Sequence, residues 1–164
     1  MPATIKTGKA KRKELAFFFE TEDTLEIIGK GMEEASISPS ATVESVNDIL
    51  GNTETTLSSY EKTTDLDPIY VEGGNKFSEW LDNLEETNAL LDDAVGTFVV
   101  VKMYKTTEET KYVAWKQQAV VELTGFGGDT KGVNAPCTLH WIGERTMGTF
   151  NPSTKQFTAD GAGA

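Results

Sequence analysis

The chain has 164 residues, 38% hydrophobic and 25% charged, a balance that suits one folded domain and excludes wholesale disorder. Its net charge of −11 is uneven: Lys6, Lys9, Lys11, Arg12 and Lys13 precede the first acid, Glu14, so residues 1–13 carry +5 and the rest −16 (−11 minus +5). An acidic body repels phosphate, which argues against nucleic-acid binding through it, and no stretch reaches the ~20 apolar residues of a membrane-spanning helix.

Residues 1–13 read as a basic, partly disordered arm that can touch nucleic acid or the acidic body of a neighbour. The apolar stretch Leu15–Phe19 ends at Glu20 and is too short for an export signal. Cys137 is the only cysteine, so no intramolecular disulfide forms, as expected of a protein folding in a reducing cytoplasm.

Glu14–Glu20 and Thr24–Ile28 predict a strand pair closed by Gly29 and Gly31. Met32–Ser38 alternates, with Ala35 and Ile37 on one side and Glu34, Ser36 and Ser38 on the other. Pro39 then weakens any continuation as a central strand. Residues 40–70 are rich in Thr, Ser, Asn and Asp and read as a long loop or extended hairpin, with strand-like pieces at Glu54–Lys62 and Pro68–Val71.

Gly73-Gly74-Asn75 introduces the one convincing helix, over about residues 76–91. Phe77, Trp80, Leu81, Leu84 and Leu91 recur near helical spacing, and Asn75 suits the N-cap. Beyond Gly96 the chain predicts strands at Thr97–Tyr104 and Lys111–Leu123 around a turn at Thr106–Thr110. A glycine-rich turn at Gly125–Gly132 follows, then strands at Thr138–Ile142, Thr146–Phe150 and Gln156–Thr158 and a small flexible tail at Gly161–Ala164. The fold class is mainly β: a two-sheet β-sandwich or barrel with one flanking α-helix, an N-terminal arm and a long insertion. Its divisions are the arm at 1–13, a single domain at 14–158 with its insertion at 40–70, and a tail at 159–164.

Residues that carry chemistry are scarce. His140, the only histidine, alternates with Leu139 and Trp141 in a strand, and Cys137 stands at a strand entrance with nothing to activate its thiol. One His and one Cys leave little for zinc or iron, and no cofactor is expected. Gly125-Phe126-Gly127-Gly128-Asp129 fails as a phosphate loop because Thr130 replaces the third glycine and a strand follows. Asp65 and Asp67 start like a calcium loop, but Tyr70 takes the glycine position. Pairs such as Glu33-Glu34 and Asp92-Asp93 read as surface, and Trp80, Trp115 and Trp141 as core rather than a sugar platform. The expectation is a non-enzymatic subunit that pairs with copies of itself.

One ordered set of segments carries a resemblance: Gly125-Phe126-Gly127-Gly128-Asp129, then Thr138–Gly143, Gly148-Thr149-Phe150 and Lys155–Thr158. Upstream lie the Ser36–Pro39 strand end, Thr55–Tyr60, and the helix Phe77–Leu84 with Phe98–Tyr104. Together, over residues 14–158, they resemble the major tail tube proteins of tailed bacteriophages, particularly those of phages of Gram-positive hosts. The resemblance implies a virion tail component assembled in the host cytoplasm. Its homohexameric rings stack into a tube that passes viral DNA and meets tape-measure, terminator and baseplate proteins.

On this pattern Lys6, Lys9, Lys11, Arg12 and Lys13 would make inter-ring arm contacts. Val43, Val46, Ile49, Leu50 and Tyr60 would make inter-ring loop contacts. Glu34, Ser36, Ser38, Gln118 and Glu122 are the lumen candidates, where an acidic or polar wall would let DNA slide. The alternatives are another ring-forming tail protein (a terminator or baseplate hub), a carbohydrate-binding β-sandwich, and a hydrolase using His140.

Overall fold

The alternation in Leu15–Glu20 is of a kind that buries both faces of a strand: Phe17 and Phe19 point one way, Ala16 and Phe18 the other, and all four are buried. The computed structural model describes residues 2–22, 24–108 and 110–161. Its strands are β1 (Thr4–Ile5), β2 (Leu15–Glu20), β3 (Leu25–Ile28), β4 (Ile37–Asn47), β5 (Thr53–Leu66) and β6 (Val95–Glu108). After these come β7 (Lys111–Leu123), β8 (Gly127–Asp129), β9 (Gly132–Asn134), β10 (Cys137–Asn151) and β11 (Gln156–Ala159). The single α-helix among the described residues, α1, spans Lys76–Thr87. The protein is therefore mainly β with one helix, as its sequence predicts.

The main sheet runs β3-β2-β6-β7-β10-β5-β4, with β1 added beside β6 and β11 beside β10; β8 and β9 form a separate hairpin. All pairings are antiparallel. One face carries the larger core, where Phe17, Phe19, Phe98, Val100, Leu139 and Leu66 pack under α1 through Phe77, Leu81 and Leu84. The other face carries a smaller core: Phe18, Leu25, Val99, Ala114 and Phe150, with Phe157 of β11 against them. Burying one such ring contributes about 1.5–3 kcal/mol, against about 0–1 kcal/mol for an exposed ion pair. The Phe cluster, not the surface charge, holds the fold.

Helix α1 begins where Asn75 Oδ1 accepts from the Ser78 N–H at 3.1 Å. Glu26 of β3 adds its carboxylate, accepting from the backbone N–H groups of Lys76 (3.0 Å) and Phe77 (3.1 Å). The helix stops at Thr87, short of the expected 91, because Asn88 turns left-handed (φ 49°) and its N–H returns to the Leu84 and Glu85 carbonyls. Leu91, expected on the packed face, is instead exposed in a 3-10 turn over Leu91–Ala94. No helix among the described residues is long and apolar enough to cross a membrane.

Several boundaries differ from the sequence expectation. The strand expected over Met32–Ser38 starts only at Ile37, since the Ala35 carbonyl accepts from the Arg12 guanidinium (2.9 Å) rather than joining a ladder. Strand β4 then passes through Pro39, opposite Lys62; it is an edge strand, where a proline is tolerated. Pro68–Val71 makes one isolated bridge, Tyr70 to Asn134, rather than a strand. The turn expected at Thr106–Thr110 is shorter, since β6 runs on to Glu108; Glu109 lies outside the described residues.

The strands expected at Thr138–Ile142 and Thr146–Phe150 are one, β10, with a register shift against β7 between them. Gly143 takes φ +68° there, which a glycine adopts without steric cost. The glycine-rich turn contains the β8–β9 hairpin, and Ala159 of the expected tail pairs with Gly148. Residues 162–164 of that tail, and Met1 of the arm, lie outside the described residues.

Candidate functional site: a projecting hairpin and a polar sheet face

Strand β5 pairs with β10 only through Thr63–Leu66. Beyond that, β4 and β5 pair with each other alone, from Pro39 opposite Lys62 out to Asn47 opposite Thr53. At about 3.3 Å per residue, the 11 residues of β4 extend about 36 Å. The segment expected as a long loop or extended hairpin is the hairpin.

Residues directly opposite in a ladder share a sheet face, so the registers map the hairpin's two sides. One side continues the core face: Leu66, buried Thr64 opposite Ile37, Lys62 opposite Pro39, Tyr60 opposite Ala41, and Leu57 opposite Val43. Inside the body this face meets apolar packing, and Trp141 Nε1 donates to Thr64 Oγ1 at 2.8 Å. Outside, the same face meets no core: Tyr60, Leu57 and Val43 are 53%, 48% and 55% exposed.

At the tip, Asp48 Oδ1 accepts from the backbone N–H groups of Leu50 and Asn52, both at 2.9 Å. These bonds, those from Asn52 foremost, hold the Asp48 carboxyl below the usual carboxylate range. The built turn presents Ile49 and Leu50 outward, at 102% and 81% exposure. Val46 is exposed on the opposite side to Val43. All five predicted loop-contact residues are thus on the hairpin and open; Leu57, which the sequence reading passed over, completes the stripe. Its signal was the ladder register, which the bulge between Thr42 and Val43 makes unreadable by simple counting.

The opposite side is polar. Ser38 faces Thr63, Thr63 faces His140, and His140 faces Val120 between Gln118 and Glu122, so three of the five lumen candidates (Ser38, Gln118 and Glu122) share one face. That face carries Glu44, Glu54, Glu61, Asp65 and Glu122, all exposed, while its aligned positions from β4 through β5 and β10 to Gln118–Glu122 of β7 hold no Lys or Arg. Glu34 and Ser36 precede β4; Glu34 lines a separate cavity beside β2 and β3.

The arm lies on its own subunit. Thr4 and Ile5 pair with Thr106 and Lys105 of β6, and Lys6 Nζ meets Glu14 Oε1 at 3.3 Å. The backbone N–H of Lys11 donates to Glu14 Oε2 at 2.7 Å, which is the main cause holding the Glu14 carboxyl low. Arg12 donates to the carbonyls of Leu15 (2.5 Å) and Ala35 and sits 5.8 Å over the Phe17 ring. Lys9, Lys11 and Lys13 are exposed. A second basic cluster, invisible in the sequence, gathers over Trp115: Arg145 at 4.2 Å and Lys102 at 5.3 Å from the ring centre. Burial, then the charges of Lys105 and Arg145, press the Lys102 ammonium pKa down.

His140 Nε2 lies 2.7 Å from Glu122 Oε2, and no Ser, Thr or Cys is among its hydrogen-bond partners. Cys137 sits three positions away in β10, on the core face, and burial pushes its thiol up to about 12, the reverse of activation. Trp115 is buried in the larger core, and Trp80 and Trp141 are partly buried against it, Trp80 stacked on Phe19 with centroids 5.2 Å apart and Trp141 edge-on to Phe98. No group of three metal-ligating side chains occurs among the described residues. No protein-family model matches the chain, and no curated protein matches its sequence.

Proposed function

We propose that this protein is the structural subunit of a phage tail tube: homohexameric rings that stack into a hollow tube through which viral DNA passes. One observation carries the proposal. The core-facing side of β4 and β5 continues for several residues past the body, leaving Tyr60, Leu57 and Val43 about half exposed with no core beneath them, only the Lys62 ammonium 5.6 Å over the Tyr60 ring. A two-stranded hairpin of this length is marginal alone, and an apolar stripe in water marks a contact surface. A chain that spends two long strands, of 11 and 14 residues, this way is made to be covered by a copy of itself.

The acidic face supports the conduit side of the proposal. Five carboxylates without a cation on the aligned positions repel duplex DNA, which carries about one charge per 1.7 Å of axis, and a surface that repels phosphate does not arrest a sliding genome. Tape-measure, terminator and baseplate proteins are the partners such a tube meets at its core and ends.

Electron microscopy of the purified protein in negative stain tests this. Hollow tubes of uniform diameter are the expected result. A preparation that stays monomeric at high concentration, or forms single capped rings that never stack, overturns it, and the second outcome is the behaviour of a terminator.

A further inference from the structure

We propose that the hairpin tip, Ile49 and Leu50, inserts into the cavity between the arm and the β2–β3 edge of another copy, so that each subunit carries a knob at one end and its socket at the other. The cavity has a volume of about 550 Å³ and is lined by Leu15, Phe17, Ile27, Ile28, Met32 and Ala35. Two aliphatic side chains suit a space of that size and character. Ile27 stands 62% exposed on its wall, matching the fully exposed Ile49.

Charge selects the same pairing. Residues 37–59 contain Glu44, Asp48 and Glu54 and no Lys or Arg, a charge of −3. The cavity is walled on its arm side by Arg12 and Lys13 of the +5 arm and on the other by Glu33, Glu34 and Lys30, which is paired with Glu72 at 3.0 Å. In a chain of net −11 the arm side of this opening is locally cationic, and complementary rims steer and orient an apolar contact.

Geometry excludes the chain's own tip. Ala35, two residues before β4, lines the cavity, so the socket lies at the hairpin's base and the tip about 36 Å away along β4. The occupant must be a second copy. A contact joining unlike ends of identical subunits is heterologous and propagates unless rotation closes it, which gives stacking a direction. The inference rests on the tube proposal for the occupant's place in the next ring.

The test is site-directed cross-linking. Ile49→Cys protein is mixed with Ile27→Cys protein and treated with a short bis-maleimide, Cys137 being buried. A covalent heterodimer is expected, lost when Ile49 is left unaltered. Tip-to-tip dimers of Ile49→Cys, or no 49–27 product within assembled tubes, overturn the socket while leaving the tube proposal standing. The 49–27 product in assemblies that are not hollow tubes supports the socket and overturns the tube. Independently, Lys11→Glu with Lys13→Glu raises the concentration needed for assembly roughly tenfold, and Glu44→Lys with Glu54→Lys restores it. Assembly indifferent to both pairs also overturns the socket.

Discussion

Val43 and Leu57 stand opposite each other in the β4–β5 ladder, on the face that in the body covers the core, yet both are about half exposed. Replacing them with Ser and Asn takes no packed group out of the folded monomer. Such surface changes move stability by about 0.5 kcal/mol or less. Thermal melts of the double variant should therefore match the parent, while sedimentation should show assembly abolished. A large drop in melting temperature would mean the stripe belongs to the monomer's own core.

Glu26 links the sheet edge to the helix, its carboxylate accepting from the first two amides of α1. Glu26→Ala leaves those amides unpartnered and removes a negative charge from the positive helix end. The expected cost is about 1.5–3 kcal/mol for hydrogen bonds to a charged group. Asn75→Ala, which loses the single cap bond to Ser78, should cost about 1 kcal/mol. Urea denaturation of the two variants checks the order; a costlier Asn75→Ala would show that the cap, not the sheet, secures the helix.

How much of this was legible beforehand follows from the range of each interaction. The Phe-rich β2, the helix behind Asn75 and the strand Lys111–Leu123 were readable, because alternation, helical spacing and caps act over a few residues. Glu26 was not, since its partners are about fifty residues away. Nor was the Lys102–Arg145 cluster, which needs β6 and β10 both placed against Trp115. For the hairpin, the polar composition of 40–70 read equally as loop, and only the register reveals that its scattered Val, Leu and Tyr form one stripe. The arm's sequence disclosed its charge but not its docking, which depends on an edge of β6 far along the chain.

Gly148 is fixed by the close approach of β11. A Cβ there would stand 2.2 Å from the Thr158 carbonyl oxygen and 2.7 Å from Phe157 Cζ. The carbonyl belongs to backbone and cannot swing aside, so Gly148→Ala should force β11 off β10. Phe157, packed against the smaller core, would loosen with it. Overpacking of this kind costs about 1–3 kcal/mol. Hydrogen exchange should show lost protection confined to residues 148–159, with α1 unchanged. Unaltered protection across β11 would contradict the close contact.

Cys137 supplies a pH dependence whose sign is fixed. Burial raises its thiol from an ordinary 9.0 to about 12 in the folded protein, with Asp65 adding to the rise. Between those values the unfolded chain has released the proton and the folded chain keeps it, so stability falls as pH rises from about 9 toward 12. Three units correspond to about 4 kcal/mol at most. Below pH 9 both states hold the proton and the effect vanishes. Cys137→Ala removes this thiol's contribution while other groups still titrate, so the parent minus variant stability should shrink progressively above pH 9. A difference independent of pH would show that the thiol titrates normally, and prompt reaction of the folded protein with maleimide at pH 8 would show that it is not buried. The expected behaviour is that reaction at pH 8 waits for unfolding.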